Sequence, residues 1–325
     1  MTLSVSVAMC TRNGAAYVEE QLDSILRQSH PIAQLVVSDD ASTDGTPAVV
    51  SRVVENRAPG LAVTLLMNDP PLGVAGNFEQ AIQACTSELV ALSDQDDVWP
   101  ADRLARIVAE FEADPNLLLA HGDARLVDDS GEPIGSTLFA TLRVSEAERR
   151  RLTTGRAFDA YLRRNLVTGA TTVLRRSLGD TALPVPPGWI HDEWLGVVAA
   201  ALGGVTLVPG LLTDYRQHAA NEIGVRELGL GGRFRKLQEA RSDRNQRLAV
   251  RAESLAERLA ELEGRVSPRT IALARAKAAH ERTRSALPAR RVRRIPRVLG
   301  SLLHGDYRRF GLGLPDALRD LVQPV

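Results

Sequence analysis

The stretch ALSDQDDVWPADR, residues 91–103, decides the fold. It continues an apolar run from Glu88 to Leu92 that reads as a short buried strand, then sets three carboxylates, Asp94, Asp96 and Asp97, within four positions. Pro100, followed by Asp102, Arg103, Leu104 and Ile107, predicts a helix with proline in its first turn. The acids therefore fall on a strand-to-helix loop. In an open parallel α/β sheet such loops gather at the carboxyl edge, where ligands bind. Like charges this close repel unless a cation sits among them. A hard divalent ion, Mg²⁺ or Mn²⁺, takes oxygen ligands and bridges one or two carboxylates to substrate phosphates. Asp94-x-Asp96 then reads as a clamp for metal and diphosphate, or else as a solvated acidic turn.

Working outward, the same unit recurs. Leu3–Met9 and Leu35–Ser38 are apolar runs ended by polar loops, Cys10–Gly14 and Asp39–Thr46, and each is followed by helical spacing: Tyr17, Val18, Leu22, Ile25 and Leu26, then Val49, Val50, Val53 and Val54. Leu61–Met67 is a third strand, and Phe78, Ala81 and Ile82 mark the helix before the strand that ends at Asp94. Four βα units in a row specify a doubly wound, mostly parallel α/β sheet. Beyond it the pattern predicts strands at Leu117–Ala120 and Ala124–Val127, surface helices across 143–164, a strand at Thr171–Leu174 and a proline-rich loop at 184–188. A helix from Trp194, a strand at Val205–Val208 and an extended run from Leu211 to His218 follow.

The net charge of zero hides an asymmetry. Residues 1–224 hold 17 Lys+Arg against 29 Asp+Glu, and residues 225–325 hold 23 against 11, so the two parts carry −12 and +12. The basic part repeats Leu248, Leu255, Leu259, Leu262 and Val266 at helical spacing, and Ser267-Pro268 begins a second helix. This divides the chain into an α/β domain, 1–224, and a basic helical extension, 225–325. The run ARRVRRIPR, 289–297, with Leu299, Leu302, Leu303, Tyr307 and Phe310 after it, suits either peripheral contact with an anionic membrane or helix packing, including a homo-oligomer through these helices. Cys10 and Cys85 lack metal-ligand spacing and any paired framework, which fits a reducing cytoplasm. Neither a signal peptide nor a membrane-spanning segment is expected, and nucleic acid is not an expected partner.

Six motifs then fall in order: VSVAMCTRNGAAYVEEQLDSIL, VVSDDASTDGT, LGVAGNFEQA, ALSDQDDVWPADRL, IHDEWL and YRQHAAN. Together, over roughly residues 3–224, they resemble family-two inverting glycosyltransferases of the GT-A fold, most closely the bacterial rhamnosyltransferase-like members. The resemblance implies a nucleoside-diphosphate sugar donor, dTDP- or UDP-linked, with L-rhamnose as the expected sugar, and a cell-surface glycan or lipid-linked glycan as acceptor. It implies that Thr11, Asn13, Asp39 and Asp40 contact the nucleotide, although Asp39–Gly45 equally suits a capped turn. Asp96 and Asp94 become the metal ligands with His218, and Asp97 a supporting acid or sugar contact. Arg216 is placed to pair with the diphosphate. Asp192 falls where the family places its general base, with Glu193 as the alternative, in a motif that many members write Glu-Asp and this chain writes His-Asp. Asn165, Gly169, Glu193 and Trp194 fall on the acceptor side. Gly76 departs from the basic residue of many relatives.

Two other readings share these features. A sugar-phosphate nucleotidyltransferase would use a glycine-rich first loop with basic residues, but Cys10–Tyr17 has a single glycine and residues 1–235 contain no lysine. A non-catalytic nucleotide-sugar-binding or scaffold protein would have no need to keep Asp94, Asp96 and Asp192.

Overall fold

β1 (Val5–Thr11) and β2 (Gln34–Asp39) are buried along their whole lengths, β3 (Ala62–Met67) lies partly exposed at the sheet edge, and β4 (Leu89–Ser93) is again wholly buried. Continuous Val-, Leu- and Ala-rich strands behave this way when a parallel sheet is covered on both faces. The computed structural model describes residues 2–218 and 241–324. These four strands pair in parallel in the order β3-β2-β1-β4. The crossovers are α1 (Val18–Leu26), α2 (Thr46–Arg57) and α3 (Gly73–Ala84), and α4 (Arg103–Ala113) leaves β4. Alternate strand residues feed two cores. Val5, Val7, Met9, Leu35 and Val37 meet residues of α1, α2 and α4, whereas Ala8, Val36, Val90 and Leu92 face Phe78 of α3 and Trp194.

Past β4 the sheet becomes mixed. β5 (Leu119–Val127) pairs antiparallel with β6 (Pro133–Thr137) and with β7 (Val173–Arg175), which also runs antiparallel to β4; β8 (Val205–Arg216) runs parallel to β5. The two strands expected across 117–127 are one, and so are those expected between Val205 and His218. β8 stays continuous through Pro209-Gly210, where Gly210 takes φ 80° and the register against β5 shifts. Pro100 lies outside α4, whose N-cap is Asp102.

Between β6 and β8 come α5 (Leu138–Thr141), α6 (Glu146–Thr153), α7 (Ala157–Tyr161), α8 (Arg176–Ala182) and α9 (His191–Ala201). The expectation of surface helices over 143–164 fails for α7. Its Phe158 and Tyr161 are buried, and the Tyr161 hydroxyl lies 2.6 Å from Nε2 of buried His121.

The expected boundary at residue 224 falls outside the described residues. Beyond it α10 (Arg241–Glu261) and α11 (Pro268–Ser285) form the expected hairpin, with Ser267 Oγ accepting from the Thr270 N–H at 3.1 Å. Leu255, Leu259, Ile271 and Ala274 enter the same core as Trp194 and Val198. Then α12 (Ile295–Leu303), α13 (Asp306–Phe310) and α14 (Leu314–Val322) close over Leu287, with Val298, Tyr307 and Ala317 inside. Buried Asp320 ties this layer together, accepting from Arg284 (2.6 Å), Tyr307 (2.8 Å) and Asn245 (2.9 Å). Among the described residues no helix is long and apolar enough to cross a membrane.

Since Leu259 is fully buried in the shared core, Leu259→Ala is expected to cost about 2–5 kcal/mol. Urea unfolding followed by circular dichroism should show one transition moved to a lower midpoint. A separate early transition of the helical extension would contradict the shared core.

Candidate active site

Register brings the first two loops together. Thr11 pairs with Asp39 across β1 and β2, and Thr11 Oγ1 donates to Asp39 Oδ2 at 2.7 Å. Ser42 gives the same carboxylate its N–H (2.9 Å) and hydroxyl (2.6 Å). A carboxylate offers about four acceptor positions, so fully buried Asp39 keeps one. Asn13, at φ 49°, laces the loops from above: its N–H donates to Ser42 Oγ (2.8 Å), and its Oδ1 accepts from the Thr43 N–H (2.8 Å). Asp40 accepts from the N–H groups of Leu72 (2.6 Å) and Gly73 (2.9 Å), capping the start of α3, and half-exposed Arg12 approaches it at 3.8 Å. The four expected nucleotide residues thus lie together at the carboxyl edge.

The acid loop is the second wall. Gln95 fastens it to the first loop, accepting from the Arg12 N–H (2.7 Å) and donating to the Arg12 carbonyl (2.9 Å). Asp96 Oδ2 lies 2.7 Å from His218 Nε2, and the His218 ring stacks on Tyr17 with centroids 4.8 Å apart. Asp94 is half-buried. Burial, then the charges of Asp96 and Asp192, push its carboxyl up to about 7 against the pull of Arg103. Among the described residues no three His, Cys, Asp or Glu side chains already form a cation cage. Asp96 and His218 meet, and Asp94 feels the charges of both Asp96 and Asp192. The remaining residues of the last motif, Ala219 to Asn221, lie outside the described residues.

Two assignments on this wall are corrected. Asp97 is 1% exposed and cannot meet a sugar; its Oδ1 accepts the Arg216 N–H at 3.2 Å. Burial, then Asp96 and Asp94, hold its carboxyl well above the usual carboxylate range. Arg216, expected on the diphosphate, is 3% exposed and directs its guanidinium to the carbonyls of Asp96 (2.8 Å) and Asp129 (2.7 Å) and to Glu20 (2.6 Å). It locks β8 to the acid loop. Behind both, Arg103 is fully buried with its guanidinium 3.7 Å above the Trp99 ring, and its nitrogens make no hydrogen bond. Burial lowers it to about 9, so it stays a cation at neutral pH facing Asp97 and Asp94.

The third wall is the start of α9. Asp192 Oδ2 accepts from the Gly169 N–H (2.8 Å) and Oδ1 from the Glu193 N–H (2.6 Å). Burial raises its carboxyl to about 6 against these bonds. Glu193 is turned away: it forms an ion pair with Arg251 of α10, which also stacks over Trp189 at 4.2 Å. That engagement displaces Glu193 as the alternative base and as an acceptor contact. Trp194 is also displaced, being wholly buried with Nε1 donating to the Ala182 carbonyl at 2.8 Å. Asn165 is half-buried and turns Oδ1 onto the Val167 N–H at 2.8 Å. His191 stacks on Phe78 with centroids 3.9 Å apart, neither ring nitrogen has a partner, and burial lowers it to about 3, so the ring is neutral.

Sequence reasoning missed Gln95, Arg103, Tyr17 and Arg251. Gln95 and Arg103 lie in the acid motif and Tyr17 in the first motif, so these three carried a signal, while Arg251 lies in none of them.

The family model for glycosyl transferase family 2 matches residues 6–178. An uncharacterized glycosyltransferase of Nostoc is 27% identical over 224 residues, 67% of this chain and 66% of the relative. A dTDP-rhamnosyl transferase of Shigella flexneri is 33% identical over 104 residues, 31% of this chain and 35% of the relative. The chain spans 59% to 66% of the length of the first curated relatives it matches. Among solved structures, a mannosyltransferase of Pyrobaculum calidifontis in complex with GDP-mannose and Mn²⁺ superposes with a TM-score of 0.50 at 23% identity, covering 99% of this chain and 87% of its own. That likeness carries the GT-A fold.

A Cβ added at Gly169 would stand 2.9 Å from His191 Nε2, and the ring cannot retreat from Phe78. Gly169→Ala is therefore expected to cost about 1–3 kcal/mol by overpacking. Thermal melts should show His191→Ala restoring most of that loss in the double variant, because the two side chains share one space.

Proposed function

This chain belongs to glycosyl transferase family 2, and on that premise we propose that it transfers a sugar from a nucleoside diphosphate to a hydroxyl of a cell-surface glycan or its lipid-linked precursor, with inversion. The observation that carries this reading is Asp192. A carboxylate raised to about 6, fixed by two backbone N–H groups at a helix start and close enough to Asp94 to raise that carboxyl, is a base poised for neutral pH. Asp192 removes the acceptor hydroxyl proton as that oxygen forms its bond to the anomeric carbon. The bond from that carbon to the diphosphate oxygen breaks on the opposite face, and the diphosphate leaves with the electron pair.

Thr11, Asn13, Asp39 and Asp40 frame the base and ribose, the buried Asp39 and Asp40 doing so by shaping the loops through Thr11, Ser42, Leu72 and Gly73. Asp96, His218 and Asp94 suit Mg²⁺ or Mn²⁺ as a donor set of two carboxylates and one imidazole, which leaves positions for phosphate oxygens. When bound, the ion neutralises the diphosphate leaving group. Support comes from the Mn²⁺ in the mannosyltransferase structure, and support for a dTDP-linked rhamnose donor from the Shigella relative and the motif order. Gly169 and Asn165 line the acceptor side. The nucleotidyltransferase and scaffold readings fall away with the family assignment.

Asp192→Asn should bind the donor as before and lose about two to four powers of ten in turnover. In the parent enzyme, kcat/KM should rise with pH through about 6 and level off above it, because the base works only when deprotonated. A profile flat from pH 5 to 8 would point to another base.

Asp96→Asn removes one of the proposed charged ligands while leaving the buried core untouched. Calorimetry should find that Mn²⁺ no longer tightens UDP or dTDP binding, with the melting temperature close to that of the parent. Retained Mn²⁺ dependence would remove Asp96 from the clamp.

A further inference from the structure

α12 and α14 each carry one broad apolar arc made of two adjacent stripes. The inner ones, Val298 and Leu302 of α12 and Ala317 and Leu321 of α14, pack around Leu287 and Tyr307. The outer ones are exposed among the described residues. Ile295, Leu299 and Leu303 recur every fourth position along α12, and Leu314, Leu318 and Val322 do the same along α14. Such spacing draws a stripe along one side of a helix. Leu303 is 87% and Leu314 66% exposed, and Val292, on the turn before α12, is 76% exposed. Tyr307 and Phe310, which the sequence suggested for this face, are buried.

The charges sort the same way. Arg294 is drawn inside, donating to the carbonyls of Pro288, Ala289, Asp320 and Gln323. Arg290, Arg291, Arg293, Arg297, Arg308 and Arg309 stay exposed. The acids of residues 286–324 go the other way: Asp316 and Asp320 are buried against Arg244 and Arg284, and Asp306 is half-buried beside Ser301. The exposed side chains of this stretch thus include many leucines and arginines, with no exposed carboxylate among them.

We propose that this face docks on the anionic surface of a lipid bilayer, its leucines at the headgroup–acyl boundary and its arginines at the phosphates. Amphipathic helices lie in the interface in this way, and cations beside them favour anionic lipid. A second copy of the chain fits less well, since a two-fold contact sets the same patch against itself and would press arginine on arginine. The docking surface is independent of the reaction assigned above.

The test is co-sedimentation of the full chain with vesicles of phosphatidylcholine, alone or mixed with phosphatidylglycerol, at low and high salt. Binding is expected on the mixed vesicles at low salt and should weaken by about tenfold or more at high salt, as screening shortens the reach of the arginines. Leu303→Asp with Leu318→Asp should weaken it by at least about tenfold, each exchange setting a charge where apolar surface was to be buried. Circular dichroism and transfer to a soluble acceptor should be unchanged. Arg291→Ala, Arg293→Ala and Arg297→Ala together should flatten the salt dependence. The proposal is overturned if the parent protein stays in the supernatant with both vesicles, binds neutral vesicles equally, or binds undiminished as the double aspartate variant. It is overturned too if sedimentation velocity shows a dimer that the aspartates dissociate, which would assign the face to a second copy.

Discussion

Asp94, Asp96 and Asp97 crowd one loop, Asp192 adds its charge to Asp94, and much of the surrounding structure answers that repulsion. Asp97 is withdrawn into the interior, where it holds its carboxyl high and bonds the backbone of Arg216. Asp96 leans on His218, and Asp94 is held near neutrality. Arg103 presses a buried cation against the back of the cluster, its face covered by Trp99. The tension left over is of the kind a cation relieves, whereas a second anion would add to it.

Much of the architecture could be read from the residues because it depends on period and punctuation. Strand runs ending in polar loops located β1, β2 and β4, and the pair Ser267-Pro268 placed the start of α11. The acids and Asp192 stood out in the sequence for the same reason, as they sit at element ends. Arg216, Asp97, Glu193 and Trp194 were misassigned because their partners are remote in sequence. Arg216 answers Glu20 and Glu193 answers Arg251, and no local pattern announces either pairing. The antiparallel β7 was equally hidden, being three residues long with neighbours set by register rather than by its own composition.

The basic extension shows how one charge count can conceal two uses. Arg284 and Arg294 are spent inside, on Asp320 and on backbone carbonyls, and fix how α12 and α14 sit. Their neighbours at Arg291, Arg293 and Arg297 remain outside. Arginine suits the buried task because its planar fork can satisfy several carbonyls at once, where a lysine would leave them open.

The pairing of Glu193 with Arg251 has a consequence for modularity. It joins the residue next to Asp192 to the helical extension, and Trp189 adds bonds to the Arg251 carbonyl at 3.1 Å and to Ser254 at 3.0 Å. A chimera that grafted residues 2–218 onto a foreign tail would strand an acid at the root of the helix that aims Asp192. The α/β part and its helical tail are therefore joined at this seam, and a graft has to carry Arg251 and Ser254 along with Trp189 and Glu193.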